Sequence, residues 1–518
     1  MRDRYLVVFD TPSIKQYVFG TDPLREIRGA SANLDRLNRE LTRRELREAL
    51  QGAQIDEVYA NGGSAQFVIN NVEEGEVRRA CERVVARFMR DTAGDVRPVY
   101  GVARLGNDQS YSVAVAKAHF ELRSRREMSG IVRVPALVPI MAECSSASHL
   151  PATGLYSIAG DEPRALSESS RVKEQRGRFA KEHGIWAEWM EHLAKSGRWP
   201  VEDDWDRLRC DTSEEIGERA SGHLEGYIGL VYADGNAMGR IVRQFDSPAV
   251  CRAFSKIVDG SIRQACFEAL EQVCQPEIAS VREPAGGSLR SLPADILLLG
   301  GDDLLVMLPA DRALEFAAEA ARRFQERTEQ EIAHIDDPAV SRFFKRLGVS
   351  RMTISCGVAL ARSRFPFYLL LDLAEDLLKN AKRGGPGGRS DEPRIDFHIV
   401  AGASSFSLKQ TRTQDYYVEK HNSSADPKWP RTLRPLALSQ MDQLRTSVQR
   451  LRAVNFPRSK LHALHEASLL PSFVQAQRTI RDIFGRCRAL PSRNERRALW
   501  QAIQHLCPDG WTCNAGTF

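Results

Sequence analysis

The chain has 518 residues, 42% of them apolar and 27% charged, and its 73 lysines and arginines exceed its 68 acidic residues by +5. That length accommodates about three or four domains, and the composition excludes bulk disorder. A surplus of +5 over so long a chain does not demand a nucleic-acid partner, although a local basic channel is compatible with one.

The N-terminus, MRDRYLVVFD, enters a strand pattern within a few residues, without the apolar segment and cleavage site of a signal peptide. Strand 5–9 (YLVVF) precedes a helical run over 31–49, a hairpin whose arms 57–60 and 65–69 flank Gly62-Gly63, a helix near 73–90 and a strand over 96–105. This unit extends to about residue 130. Residues 131–220 follow as a mainly helical insertion, with a helical pattern over 163–195 and the charged stretch VEDDWDRLRCDTSEE. Then the first order returns. YIGLVYADGN gives a strand ending in Asp234, 248–275 reads as helix, and ADILLLGGDDLLVMLPA forms a hairpin over 294–310. A helix over 311–330, a strand over 352–360, a helix over 368–383 and a strand over 395–400 complete the second unit. The expected fold class is α/β (α+β), an imperfect tandem duplication. Beyond a loop at 419–430, the apolar spacing of LSQMDQLRTSVQRLRAV, SKLHALHEASLL, SFVQAQRTIRDIFGR and NERRALWQAIQHL predicts a helical bundle. The domains expected are therefore 1–130, 131–220, 221–402 and 403–518.

The longest apolar runs, ILLL and YLLLDLA, are too short or too polar to cross about 30 Å of hydrocarbon, so a cytoplasmic protein without a membrane partner is expected. None of the ten cysteines forms a CxxC pair. Cys81, Cys251, Cys266 and Cys356 sit among apolar neighbours and read as buried thiols. Cys507 and Cys513 are a candidate local pair, disfavoured in a reducing compartment. The run RGGPGGRSD at 383–391 follows a helix, whereas a phosphate-binding loop follows a strand and opens one; it reads as a surface loop.

The chemistry concentrates in the second unit. Phosphoryl transfer between nucleotides uses a divalent metal held by hard oxygen ligands. A strand ending in Asp234 beside a hairpin tipped by Asp302 and Asp303 can supply three carboxylates from rigid elements. Gly300 and Gly301 are expected to give the turn positive φ and leave room for a nucleotide triphosphate. Gly235, Asn236 and Gly239 open a helix whose N–H groups face phosphate oxygens. Lys379 and Lys382, three apart on one helix face, are candidate phosphate partners. An isolated GGDD is also simply a hairpin turn with solvated acids, and two lysines on a helix are also an ordinary solvated face. In the first unit Ser64 and Ala65 stand where the acids are expected, so that copy reads as non-catalytic even though Asp10 ends its first strand.

The segments VVFDTPSIKQYVFG, YANGGSAQFVI, LVYADGNAMG, LLLGGDDLLVMLPA, ISCGVAL, FPFYLLLDLAEDLLKNAKR and IDFHIV together resemble the large polymerase-cyclase subunit of type III CRISPR effector complexes. The resemblance implies two ferredoxin-like palm domains face to face, the GGDD copy converting ATP into cyclic oligoadenylate, an antiviral second messenger, and pyrophosphate. It implies Asp234, Asp302 and Asp303 as ligands of Mg²⁺ or Mn²⁺, and activating RNA, effector subunits or a second copy of the chain as partners. No HD dipeptide occurs, so the family's nuclease domain is expected to be missing; Cys144, His149 and Cys210 lack CxxC partners, so no zinc site is expected between the palms. The alternatives are a cyclase of other base preference, making a cyclic dinucleotide, and a non-catalytic RNA-binding scaffold.

Overall fold

The computed structural model describes residues 3–106, 110–128, 140–157, 162–197, 209–281, 291–383, 391–400, 408, 435–468, 470, 473–486, 492, 494 and 497. The cysteines at 507 and 513, the loop at 419–430, most of the glycine-rich run at 383–391 and most of the last expected helix lie outside these residues.

The first sheet contains β1 (Asp3–Asp10), β2 (Gln54–Asn61), β3 (Ser64–Val72) and β4 (Val99–Arg104), in the order β2-β3-β1-β4 and antiparallel throughout. β1 is central and its run Tyr5, Leu6, Val7, Val8 and Phe9 is buried on both faces, which explains why its pattern is continuous rather than alternating. The helix expected at 31–49 begins earlier, over Leu24–Arg36, passes through a π-helical turn Leu37–Leu41 and ends over Thr42–Ala49. Helices Glu74–Asp91 and Tyr111–Met128 cover the sheet.

The insertion pairs β5 (Gly154–Tyr156) with β6 (Arg164–Leu166), so the helical pattern expected from 163 begins at Glu168 instead. Ser167 caps that helix, Glu168–His183, by accepting from the Ser170 N–H. It crosses the first palm's helix at Gly29 and Gly177, where a Cβ on either would press on the other's backbone.

The second sheet comprises β7 (Tyr227–Gly235), β8 (Asp295–Gly300), β9 (Asp303–Pro309), β10 (Ile354–Arg362), β11 (Arg394–Ile399) and the short β12 (Leu436–Ala437). Its order, β12-β11-β10-β7-β9-β8, contains β8-β9-β7-β10, the arrangement of the first sheet. Between β7 and β8 runs the helix Pro248–Val273, capped by Ser247 with proline in its first turn. Two apolar cores draw on both palms: one unites Leu6 and Val8 with Val231 and Ala233, the other Val7 and Phe9 with Leu230 and Tyr232. A buried ion triad ties the first palm to β8, with Arg28 Nε and Arg209 Nη2 each 2.8 Å from Asp295. Helices Leu438–Ala453, Arg458–Ser468 and Phe473–Gly485 form the C-terminal helical part, which meets the second palm through Arg322 and Asp442, 2.8 Å apart.

Candidate active site at the facing hairpin tips

β7 carries Asp234 at its end, and β9 lies beside it with Leu304 opposite Ala233. The β8–β9 hairpin pairs Gly300 with Asp303, leaving Gly301 and Asp302 as its two-residue turn. Only Gly301 has positive φ, 62°; Gly300 ends β8, so the expectation that both glycines serve the turn's φ is corrected for Gly300. Two-residue hairpin loops favour left-handed φ at the first turn residue because that matches strand twist. Gly300 lies instead at the contact between the palms. A Cβ there would lie 3.6 Å from the Gly62 nitrogen, and one on Gly301 3.7 Å from the Gly62 Cα, so the two Gly-Gly tips meet across the palm interface.

Three carboxylates converge at this meeting point. Burial, followed by the neighbouring Asp234 charge, pushes Asp302 up to about 6. The same causes, with Asp302 added, push Asp303 up to about 7. Lys382 donates to Asp234 Oδ2 and, at 2.9 Å, to the Gly235 carbonyl. Gly235 is required sterically: a Cβ would stand 2.6 Å from Asp302 Oδ2 and 2.5 Å from Met238 Cγ.

The other expected site residues divide. Asn236 turns away from the cleft, its amide donating 3.0 Å to Thr353 Oγ1 and its backbone N–H 2.8 Å to the Thr353 carbonyl. Gly239 lies in a helix of only one turn, Met238–Val242, with open space at its Cα. Lys379 has a 59% exposed side chain and pairs with Asp376 at 3.1 Å, so of the two lysines only Lys382 reaches the acids.

Reasoning from sequence missed two participants. Lys15, from the first palm, reaches Glu375 at 2.8 Å and lies 4.7 Å from the Tyr232 ring centroid, where its charge opposes the upward shift of Asp303. Asp259, on the helix after β7, accepts the Gly301 N–H at 3.1 Å. Lys15 lies within the segment VVFDTPSIKQYVFG and Asp259 in none of the segments quoted, and both depend on pairing across distant segments.

The first palm repeats this geometry in detail. Asp10 pairs with Ser64, and Asn61 with Ser64 across Gly62-Gly63. The register therefore puts Gly63 in the place of Asp302 and Ser64 in that of Asp303, one residue earlier than the Ser64 and Ala65 expected. Gly101 stands opposite Val8 and Gly357 opposite Tyr232, and each glycine lets the following helix close on its strand, at Ala118 and Ala374 respectively. The same distance further along those helices are Arg126, 3.6 Å from Asp10, and Lys382 on Asp234. Ser13 and Ala237, each three residues beyond its strand's aspartate, share left-handed φ of 62° and 57°. A strained backbone held in both copies marks a loop fixed by its surroundings.

Two clefts open on either side of the tips. One, of about 400 Å³, is lined by Tyr59, Ser64, Gln66, Tyr111, Phe254 and Asp302. The other, of about 320 Å³, is lined by Lys15, Asn38, Gly62, Gly300 and Asp303. Among the described residues no three acidic, histidine or cysteine side chains already converge tightly enough to hold an ion. The donor set nonetheless fits a hard cation: three carboxylates, two of them raised by burial and by the neighbouring Asp234 charge so that a cation would relieve them, with the Lys382 ammonium resting on the third.

Residues 227–389 match the Cas10/Cmr2 second palm domain family. No curated protein matches the chain in sequence. Among solved structures, a Csm1–Csm4 cassette in complex with cA4 is similar with a TM-score of 0.55 and 14% identity over 98% of this chain and 68% of the other. A cassette in complex with pppApApA gives 0.54 and 14% over 93% of this chain, which covers 64% of that chain's length. The apo cassette gives 0.50 and 14% over 93% and 65%. At such identity these likenesses establish the fold, a pair of palm sheets flanked by helical regions. No described helix is long and apolar enough to cross a membrane.

Proposed function

We propose, from the match of residues 227–389 to the Cas10/Cmr2 second palm domain family, that the chain is the cyclase subunit of a type III CRISPR effector, converting ATP to cyclic oligoadenylate and pyrophosphate. The observation that carries this reading is the convergence of Asp234, Asp302 and Asp303 at a glycine tip facing a second glycine tip, with a cleft on each side. Two nucleotides brought together from opposite sides of that contact present a 3′-hydroxyl to an α-phosphate. The cassettes bound to pppApApA and cA4 lend the substrate class and product.

In this reading the three carboxylates hold the divalent cation, Mg²⁺ or Mn²⁺. When bound, it lowers the pKa of the attacking hydroxyl and neutralises charge on the departing pyrophosphate. Lys382 gives up Asp234 and turns to phosphate oxygens, and Lys15 supplies a second positive charge from the opposite palm. Gly235, Gly300 and Gly301 keep the approach clear of side chains. Asn236 holds the loop after β7 to Thr353, and Gly239 leaves its first turn open. The first palm, without hairpin acids, contributes a binding wall. The division into palms over 1–130 and 221–402, an insertion over 131–220 and a bundle over 403–518 belongs to the same proposal, as does a Csm4-like partner subunit.

The test is incubation of the purified protein with Mn²⁺ and each nucleoside triphosphate, singly and mixed, followed by mass spectrometry. Cyclic oligoadenylate from ATP alone is the expected product. A mixed or guanine-containing ring would replace the substrate assignment, and pyrophosphate release with only linear products would replace the cyclisation step.

A further inference from the structure

The catalytic turn is held by a residue that no motif identifies. Asp259 lies on the helix Pro248–Val273 with its side chain 13% exposed, and its Oδ1 accepts the Gly301 N–H at 3.1 Å. Arg39 of the first palm donates through one nitrogen to both Asp259 oxygens, at 2.9 and 3.0 Å. Arg263 closes the group from the other side, 3.3 Å from Asp259 Oδ2, while its Nη2 donates 3.3 Å to the Leu299 carbonyl and its Nη1 to Glu188. Arg39 is in turn fixed by Asp35 at 2.7 Å and sits in the π-helical turn Leu37–Leu41. Single π-turns inside helices often accompany functional sites.

We infer that Asp259 is a positioning residue for the catalytic turn and that Arg39 holds it in register from the opposite palm. A two-residue hairpin turn closes on its own ladder and needs no outside carboxylate. Here the turn N–H, immediately before Asp302, is gripped by a carboxylate that two guanidinium groups fix in place. The Gly301 dihedrals set where the Asp302 carboxylate points. A displacement of about 1 Å at a reacting centre costs roughly 100-fold in rate. Because Arg39 belongs to the first palm, the grip is complete only while the two palms are closed on one another. The palm that lacks the hairpin acids thus controls the geometry of the palm that has them. The consequence for turnover rests on the cyclase reading; the consequence for the turn itself does not.

The experiment compares wild type, Asp259→Ala, Asp259→Asn, Arg39→Gln and the control Arg43→Gln, whose arginine is an exposed first-palm residue 3.7 Å from Glu57. Hydrogen exchange of the Gly301 amide is measured at residue resolution without nucleotide, with thermal melts to verify folding. Exchange should quicken tenfold or more in Asp259→Ala and at least threefold in Arg39→Gln. It should stay near wild type in Asp259→Asn, whose amide oxygen still accepts, and in Arg43→Gln. With ATP, kcat should fall at least tenfold in Asp259→Ala with KM within twofold, and return to within threefold of wild type in Asp259→Asn. Unchanged Gly301 exchange in Asp259→Ala, or Arg39→Gln matching Arg43→Gln, overturns the inference. If Asp259→Ala does not fold, the Arg39→Gln comparison decides. If wild type makes no nucleotide product, the cyclase reading fails and the exchange arm still decides this one.

Discussion

Arg126 lies 3.6 Å from Asp10, in the position relative to the first sheet that Lys382 and Asp234 occupy relative to the second. The first palm has therefore kept the cation–carboxylate pair at the end of its central strand and lacks only the two hairpin acids. Gly63 and Ser64 stand in their places. At the hairpin tips the palms differ at one turn position and the strand residue after it, within a four-strand arrangement that both sheets share, and under the proposed function this difference assigns the chemistry to the second palm.

The acids of the second palm should weaken the fold they serve. Asp302 and Asp303 are raised to about 6 and about 7, above the ordinary carboxylate value of about 4. Groups so raised stabilise the folded state when protonated, and that contribution is lost as pH climbs through 6 to 7. At pH 8 without divalent cation, Asp303→Asn should be more stable than wild type by on the order of 1 kcal/mol, or about 2 °C in Tm. At pH 4 the two should melt together. Melting curves at both pH values check this, and a destabilised Asp303→Asn at pH 8 would contradict the electrostatic description.

Lys382 and Lys379 provide a paired test of the cation assignment. Lys382→Met should lower turnover at least tenfold because it removes the only one of the two lysines that touches Asp234. Lys379→Met should stay within twofold, since that side chain pairs with Asp376 at a 59% exposed position. Initial rates of pyrophosphate release on the two variants make the comparison.

Gly235→Ala should damage activity more than stability. Its Cβ would come within 2.6 Å of Asp302 Oδ2, a contact relieved by moving the carboxylate. We expect at least a tenfold loss of kcat with a change in stability of about 1 to 2 kcal/mol. An urea titration beside steady-state rates separates the two effects.

Asp295→Asn tests the buried triad that joins the palms. The aspartate is fully buried between Arg28 and Arg209, each at 2.8 Å. Removing the partner of buried charges costs about 3 to 5 kcal/mol. The variant should lose that stability in denaturant, without any change in the residues that line the clefts.

Much of this was legible in local pattern. The apolar arms of β8 and β9, the strand ending in Asp234 and the helix Phe367–Arg383 each follow from spacing over a few residues. What was not legible depends on register and on contact between distant segments. The one-residue offset at Ser64 is fixed by strand pairing, which composition does not reveal. Lys379 and Lys382 are equivalent as letters on a helix face, and only the close crossing at Gly357 and Ala374 decides which reaches Asp234. Lys15 meets Glu375 only because the palms face each other, and Asp259 meets the Gly301 N–H only through the packing of its helix against the hairpin of the same palm. The short helix Ile14–Phe19 escaped because it starts at Ser13 in a left-handed conformation, without a side-chain cap.

The most direct measurement is cyclic oligoadenylate output, by mass spectrometry, from wild type, Asp302→Ala/Asp303→Ala and Asp10→Ala. The account expects product from wild type and Asp10→Ala, and at least a hundredfold loss in the double variant. Equal product from the double variant, or loss confined to Asp10→Ala, would place the chemistry in the other palm and contradict it.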